Sequence, residues 1–328
     1  MALNLRLPPL CRLALLALAL LAVSGCVQEP DKPLRVGINP WPGYDFLYLA
    51  QQKGFLAEEG VDVDIVAFTS LGDSRRAFER GQVDAFGGTT VELLQARANS
   101  DRQPQAFYVT NWSEGADQLL AQPAIGSVQD LAGQRVAVEP ASVDLLILNL
   151  ALEQAGLATD AVQRVAMGQA EMAEAMAAGE IQAAVTYPPA SVQIRNESGA
   201  RALFDTADAP RAVLDLFIGA QATLQQRPAD FAALVRAFNR AVHYAEQHPD
   251  ESHRIMANRE GITPDELRRA LARIRVMDLA AQRDMWPGEV ASAVELTVRT
   301  LREAGQMASA PATASLIEPT PVQRAAGE

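Results

Sequence analysis

Seven carboxylates stand in a set of six short loops that contain no lysine or arginine. The loops span residues 39–45, 69–73, 87–92, 111–117, 139–144 and 186–189. The acids are Asp45, Asp73, Glu92, Glu114, Asp117, Glu139 and Asp144. A bound anion there would depend on backbone amides and helix N-termini alone. A cation or amine would meet carboxylates directly. The loops therefore favour a neutral, zwitterionic or amine-bearing small molecule.

Other side chains in these loops suit recognition. Asn39-Pro40-Trp41-Pro42-Gly43-Tyr44-Asp45 holds two aromatics between residues that stiffen the backbone, in a chain with only 5% aromatic residues. Trp41 and Tyr44 present flat apolar faces with a polar edge; both are equally able to cap a core. Asp45 is placed for ligand contact and for capping the helix after it. Gly87-Gly88-Thr89-Thr90 puts two hydroxyls at a helix start. Thr89 with Glu92, and Ser70 with Asp73, also have the spacing of a capping box. Ser142 is an N-cap candidate before an apolar helix. Asn111, Asp117 and Glu139 lie at loop ends, and Tyr187 precedes Pro188-Pro189.

Catalytic patterns are missing. His243, His248 and His253 are five apart, which does not align them on one helical face, and no cysteine accompanies them. No nucleophile elbow, phosphate loop or zinc-protease motif occurs. No pair of acids has a spacing that marks it for proton transfer. The expectation is a binding protein with no enzymatic activity, cofactor or metal.

The loops need a scaffold, and the chain repeats itself to provide one. Arg35-Val36-Gly37-Ile38-Asn39-Pro40 parallels Arg135-Val136-Ala137-Val138-Glu139-Pro140. Each block reads as a strand ending at a proline, followed by a helix closed by glycine (Gly54, Gly156) and a second strand. A second matched unit follows, helix end–glycine–strand, at 77–86 and 175–184. Strand–helix alternation of this kind builds an α/β sheet with parallel strands. In such sheets ligands bind beyond the carboxyl ends of the strands, which is where the six loops fall. The expected architecture is two Rossmann-like lobes joined by two crossing segments. Lobe 1 is 34–115 plus 216–306 and lobe 2 is 116–215, with hinges near Ala116 and Leu216. Helices are expected over 229–247, 251–258, 263–274 and 288–304.

The ends of the chain read differently. Arg6 and Arg12 precede an apolar run over 13–23, about a dozen residues, which suits a signal peptide and is short for a membrane span. Leu21-Ala22-Val23-Ser24-Gly25-Cys26 resembles a bacterial lipobox, with Cys26 as the lipid attachment site. The reading is a signal peptide over 1–25, a tether over 26–33, and an Ala/Pro/Ser/Thr-rich disordered tail over 307–328. Cys11 would be lost with the signal, so no internal disulfide is available. The formal charge of −12 becomes −14 without Arg6 and Arg12. With no basic run, that charge argues against nucleic acid.

Several segments together resemble one family. These are Val36-Gly37-Ile38-Asn39-Pro40-Trp41-Pro42-Gly43-Tyr44, Leu49-Ala50-Gln51-Gln52-Lys53-Gly54-Phe55, Gly81-Gln82-Val83-Asp84-Ala85, Gly115-Ala116-Asp117 and the stretch 130–138. The chain is similar over 34–306 to periplasmic solute-binding proteins of the nitrate/sulfonate/taurine and thiamine-pyrimidine type. The resemblance implies the type II periplasmic-binding fold and the substrate-binding role in an ABC importer, with permease and ATPase subunits as partners. It also implies a monomer that closes on its ligand, with the site carried by Trp41, Tyr44, Thr89, 111–117, 139–142 and Tyr187. The lack of cations in the loops departs from what nitrate or sulfonate binding would call for, and leaves a pyrimidine-like or amine compound as the better match. A sensory lipoprotein using the same clamp, and a nitrate, sulfonate or taurine carrier, remain alternatives. A related eukaryotic branch has a cysteine-rich iron motif, which this chain lacks.

Overall fold

Both Arg-Val blocks become buried parallel strands, and the repeat extends to their hydrogen bonds. The computed structural model describes residues 32–309 and 311–327; the expected signal peptide, Cys26 and most of the tether lie outside them. Strand β1 (Leu34–Ile38) pairs in parallel with β2 (Val63–Ala67) and β3 (Ala85–Thr89). Strands β4 (Pro104–Ser113) and β5 (Gln118–Ala121) come next, then β6 (Arg135–Val138), which pairs the same way with β7 (Gln163–Ala166) and β8 (Ala183–Thr186). Arg35 donates to Gly81 O and to Asp84; Arg135 donates to Gly179 O and to Gln182. The two arginines do the same work at equivalent places.

Three more strands complete the sheets: β9 (Arg201–Asp205), β10 (Leu214–Ala220) and β11 (Ile274–Val276). One sheet has the order β11-β4-β10-β3-β1-β2 and the other β7-β6-β8-β5-β9. The strands that cross between them run antiparallel: β10 against β3 and β4, β5 against β8 and β9. The sheets are therefore mixed, where the repeat alone predicts parallel pairing. A strand that enters a sheet from the other lobe runs in whichever direction the crossing imposes. The first sheet takes up the chain again at Leu214, slightly before the expected Leu216.

The helices that matter for the site are α1 (Asp45–Gln52), α2 (Leu71–Glu79), α3 (Thr90–Asn99), α4 (Val143–Gln154), α5 (Gln169–Ala177) and α6 (Ala190–Ser198). Later in the chain are α7 (Pro228–Gln247), α8 (Pro249–Glu260), α9 (Pro264–Leu271), α10 (Val290–Glu303) and α11 (Thr320–Ala326). Prolines sit in the first turns of α7, α8, α9 and α11, where a missing N–H costs nothing. No helix among the described residues is long and apolar enough to cross a membrane.

Aromatic rings form the core of the first lobe. Phe217 stacks with Tyr44, Phe107 and Tyr108 and meets Phe238 edge-on. The C-terminal segment departs from the expected disordered tail. Leu316 is fully buried, Ile317 forms a parallel bridge with Ala106, and Glu318 N–H donates to Ala106 O. Helix α11 follows and buries Pro321 and Val322. Composition suggests disorder there, but these few apolar anchors suffice to dock the segment.

Candidate functional site

The loops at the strand ends do meet, and most of their acids end up buried, while Glu114 is exposed and Asp73 partly so. Glu92, Asp117, Glu139, Asp144 and Asp215 are each at most 3% exposed. Thr89 caps α3, and its N–H and hydroxyl both donate to Glu92 Oε2. The other oxygen of Glu92 reaches the second lobe and accepts the Val143 N–H at 2.9 Å, in the first turn of α4. Glu139 makes the reciprocal contact: its Oε1 accepts the Gly72 N–H at 2.8 Å, in the first turn of α2. Each lobe thus supplies a carboxylate to a helix N-terminus of the other, where the helix dipole favours negative charge.

Aromatic contacts reinforce this closure. Trp41 meets Tyr187 edge-to-face across the lobes, with ring centroids 5.8 Å apart. Trp41 Nε1 donates to Asn111 Oδ1 at 3.2 Å, and Asn111 Nδ2 donates to Asp215 Oδ2 at 2.8 Å. The Tyr44 hydroxyl donates to Asp215 Oδ1 at 2.7 Å. Glycine makes room for the network. A Cβ on Gly43 would stand 1.8 Å from Asn111 Oδ1, and one on Gly87 would press on the Tyr44 ring at 3.0 Å.

The sequence candidates divide into two groups. Trp41, Asn111, Asp117, Glu139, Ser142 and Tyr187 converge on the junction between the lobes. Ser142 caps α4, and its hydroxyl donates to Glu139 O at 3.0 Å. Thr89 is a helix cap at the same junction. Ser70 caps α2, accepting the Asp73 N–H, and borders a cavity of about 460 Å³ that Glu139 also lines. Tyr44 lies in the aromatic core, with its hydroxyl held by Asp215. Asp45 and Thr90 face elsewhere. Asp45 is ion-paired with Arg259 and does not cap α1, whose N-cap is Tyr44. The Thr90 hydroxyl is 2.6 Å from that of Thr297, inside the first lobe.

Sequence reasoning missed Asp215, Gln169 and the Arg259–Glu260 pair. Asp215 carried a signal: it is a lone charge in the apolar run Leu214-Asp215-Leu216-Phe217-Ile218. Gln169 donates to Asp144 at 3.0 Å. Glu260 accepts the Trp41 N–H at 3.1 Å and also a hydrogen bond from Arg259. The same glutamate borders a cavity of about 360 Å³ with Tyr187, Thr69 and Gln169.

Electrostatics set the character of the junction. Burial raises the carboxyls of Asp144 and Asp215 well above the usual range; Glu139 adds to the effect at Asp144, and Asp117 at Asp215. Burial also raises Glu139, and pushes Asp117 up to about 7 despite the opposing Ser113 hydrogen bond. Burial and then the neighbouring carboxylates raise the Tyr187 hydroxyl well above its ordinary value. Asp45 is pushed up to about 6 by burial, against the pull of Arg259.

The side-chain oxygens at this junction with no hydrogen-bond partner among the described residues include four, Asp117 Oδ2, Glu139 Oε2, Asp144 Oδ1 and the Tyr187 hydroxyl. Buried polar atoms without partners are rare in folded proteins and point to a ligand or water. No group of three or more metal-ligating side chains was found among the described residues.

The sequence pattern of the NMT1/THI5-like family matches residues 41–252. The chain belongs to that family. Binding proteins of Brucella abortus and Brucella suis, whose names specify no ligand, are 29% identical over 175 residues. That alignment takes in 53% of this chain and 54% of theirs, so the chain spans about half the length of these relatives. A formylaminopyrimidine-binding protein of Halalkalibacterium halodurans is 24% identical over 253 residues, 74% of this chain and 76% of the relative.

Among solved structures, the alkanesulfonate-binding protein SsuA of Xanthomonas axonopodis, bound to MOPS, superposes with a TM-score of 0.76. It is 20% identical and covers 89% of this chain and 100% of its own. The fold is the type II periplasmic-binding fold. Several solved proteins with this fold are binding proteins. The desulfurization enzyme DSZB shares the fold at a TM-score of 0.64 and 16% identity, over 89% of this chain and 99% of its own, so architecture alone does not separate the two roles.

Proposed function

We propose that this protein is the solute-binding component of an ABC importer and captures an amine- or amidine-bearing small molecule, of which an aminopyrimidine is the best match. The observation that carries the reading is the set of partnerless oxygens at the junction of the lobes. Three of the four are carboxyl oxygens, which call for a hydrogen-bond donor, preferably a charged one. No arginine or lysine is hydrogen-bonded to Asp117, Asp144 or Asp215 among the described residues, which weighs against a sulfonate or nitrate. Carboxyls raised toward neutrality also match a heterocycle that offers a donor beside an acceptor. One such group donates to a ring nitrogen when protonated and accepts from an exocyclic amine when ionised. The relative that binds formylaminopyrimidine supports the same class.

The ligand contacts in this reading are Trp41, Asp117, Glu139 and Tyr187, with Asp144 beside them. Trp41 and Tyr187 would hold a flat ring, and closing the lobes would exclude water and strengthen each polar contact. Export and lipid tethering through Cys26 complete the proposal, placing the clamp next to a permease. A ligand that prefers the closed form shifts the lobes toward it and so signals occupancy.

The test is mass spectrometry of small molecules carried through purification, followed by calorimetry with the released compound. The expected compound bears an amine or amidine, and Asp117→Asn or Glu139→Ala weakens its binding at least tenfold. Recovery of a sulfonate whose affinity ignores both substitutions would overturn the ligand class. Unchanged uptake of the compound in cells lacking the adjacent permease would overturn the importer role.

A further inference from the structure

A third cavity joins the lobes beside the crossing segments, and its charge is opposite to that of the junction. It encloses about 310 Å³ and is lined by Arg195, Arg269 and Arg273 together with Gln118, Ser191 and Asn196. Arg195 and Ser191 come from α6 of the second lobe. Arg269 lies on α9, and Arg273 just before β11, in the first lobe. The chain as a whole has 40 acidic and 28 basic residues, so three arginines around one cavity make a local inversion of charge.

Neighbouring acids consume only part of this charge. Arg195 Nη2 donates to the neutral Gln118 Oε1 at 2.7 Å, and Arg195 Nη1 donates to Ala200 O at 3.5 Å. The guanidinium is partly buried and makes no ion pair among the described residues. Burial, then the proximity of Arg273, lowers its pKa from the ordinary arginine value. Glu266 also lines the cavity; its carboxylate receives the Thr263 N–H and hydroxyl in the capping box of α9 and offsets part of the positive charge of Arg269.

Arg273 is fixed to both crossings. Its Nε donates to Gly115 O at 2.7 Å, and its Nη2 pairs with Asp205. Gly115 has φ +109°, and a Cβ there would stand 2.6 Å from Arg273 Nη2, so glycine is required on both counts. The same crossings are tied to each other by the Ser113 and Thr206 hydroxyls, 2.7 Å apart. A group held by Arg273 therefore touches the hinge itself.

We propose that this arginine-lined cavity binds a small oxyanion, a phosphate- or carboxylate-bearing molecule, that bridges Arg195 of one lobe to Arg269 and Arg273 of the other. Guanidinium forks match the oxygens of either group. An anion held from both sides stabilises one hinge angle, and so couples to whatever the main cleft binds. The residues involved are separate from the carboxylates of the junction, so the proposal stands or falls independently of the cleft ligand.

The test is calorimetric titration of the protein with inorganic phosphate and, in parallel, with malonate, at constant ionic strength. Saturable binding of at least one is expected, and which one saturates separates a phosphate from a carboxylate ligand. Arg195→Gln and Arg269→Gln should each weaken it at least tenfold. Arg268→Gln, on the same helix but paired with Asp265, is the charge control and should leave it unchanged. Circular dichroism melting checks that the variants fold. No saturation with either anion, or equal binding by all variants, overturns the proposal.

Discussion

Glu139 of the second lobe accepts the backbone N–H of Gly72 in the first at 2.8 Å, while Glu92 answers in the opposite direction at Val143. Two helix N-termini are thereby capped from across the cleft. The contacts exist only with the lobes together, so they add to the free energy of closure and not to the stability of either lobe alone.

Gly72→Ala should separate these effects. The new Cβ would stand 2.6 Å from Glu139 Oε1 and displace it. Alanine in place of glycine would otherwise favour the helix by about 1 kcal/mol. A lost charge-assisted hydrogen bond of about 1.5–3 kcal/mol corresponds to a roughly ten- to hundredfold weaker ligand affinity. The expected outcome is weaker binding by calorimetry and a larger radius of gyration in ligand-bound scattering, without a lower melting temperature. Unchanged affinity would show that the clamp does not contribute to closure.

Gly43→Ala should act on the fold itself. Its Cβ would collide with Asn111 and Trp41, which are buried and hydrogen-bonded and have no room to yield. Overpacking of this kind costs about 1–3 kcal/mol. The expected readout is a lower melting temperature, by roughly 1.5–2 °C per kcal/mol for a chain of this length. Changed tryptophan emission from Trp41 should accompany it.

The buried acids predict an unusual pH dependence. Asp117 is pushed up to about 7 in the folded protein, so between its unfolded value and 7 the native state holds the extra proton. Its stabilising effect is complete below about pH 4 and is lost as pH rises through about 7. Asp144, Asp215 and Glu139 are shifted in the same direction. Denaturant unfolding of the ligand-free protein should show these acids lowering stability from pH 5 to pH 8, and Asp117→Asn should flatten part of that slope. An amine ligand should bind more tightly as pH rises over the same window, because it needs the ionised carboxylate. A wild-type slope equal to that of the variant would contradict the assignment.

The C-terminal segment should prove structural. Leu316 is fully buried against the first lobe. Leu316→Ala removes that anchor, at about 2–5 kcal/mol for a buried leucine. The expected result is a lower denaturant midpoint with an unchanged m-value. A change below about 0.5 kcal/mol, the range of surface substitutions, would mean that the segment is only loosely attached.

Local rules carried much of the architecture. The matched arginine blocks revealed paired strands because an alternation of apolar residues and a terminal glycine act over a few residues. The caps at Ser70, Thr89 and Ser142 were legible for the same reason, since a cap bonds two or three residues ahead. Thr90 was misread because adjacent threonines at a helix start point in different directions: the first caps the helix, while the second turns inward to Thr297. The tail was misread because composition averages away the few apolar residues that dock it.

The sequence alone settled two α/β lobes with acidic loops at their strand ends, because period, glycine stops and proline breaks are properties of neighbouring residues. Tertiary structure decided which acids share one space. Asp215 lies 171 residues from Tyr44, and Glu139 lies 67 from Gly72. No spacing in the chain announces these pairs. They form because two crossings bring the strand ends face to face, and burial then makes an unpaired oxygen costly enough to define a site.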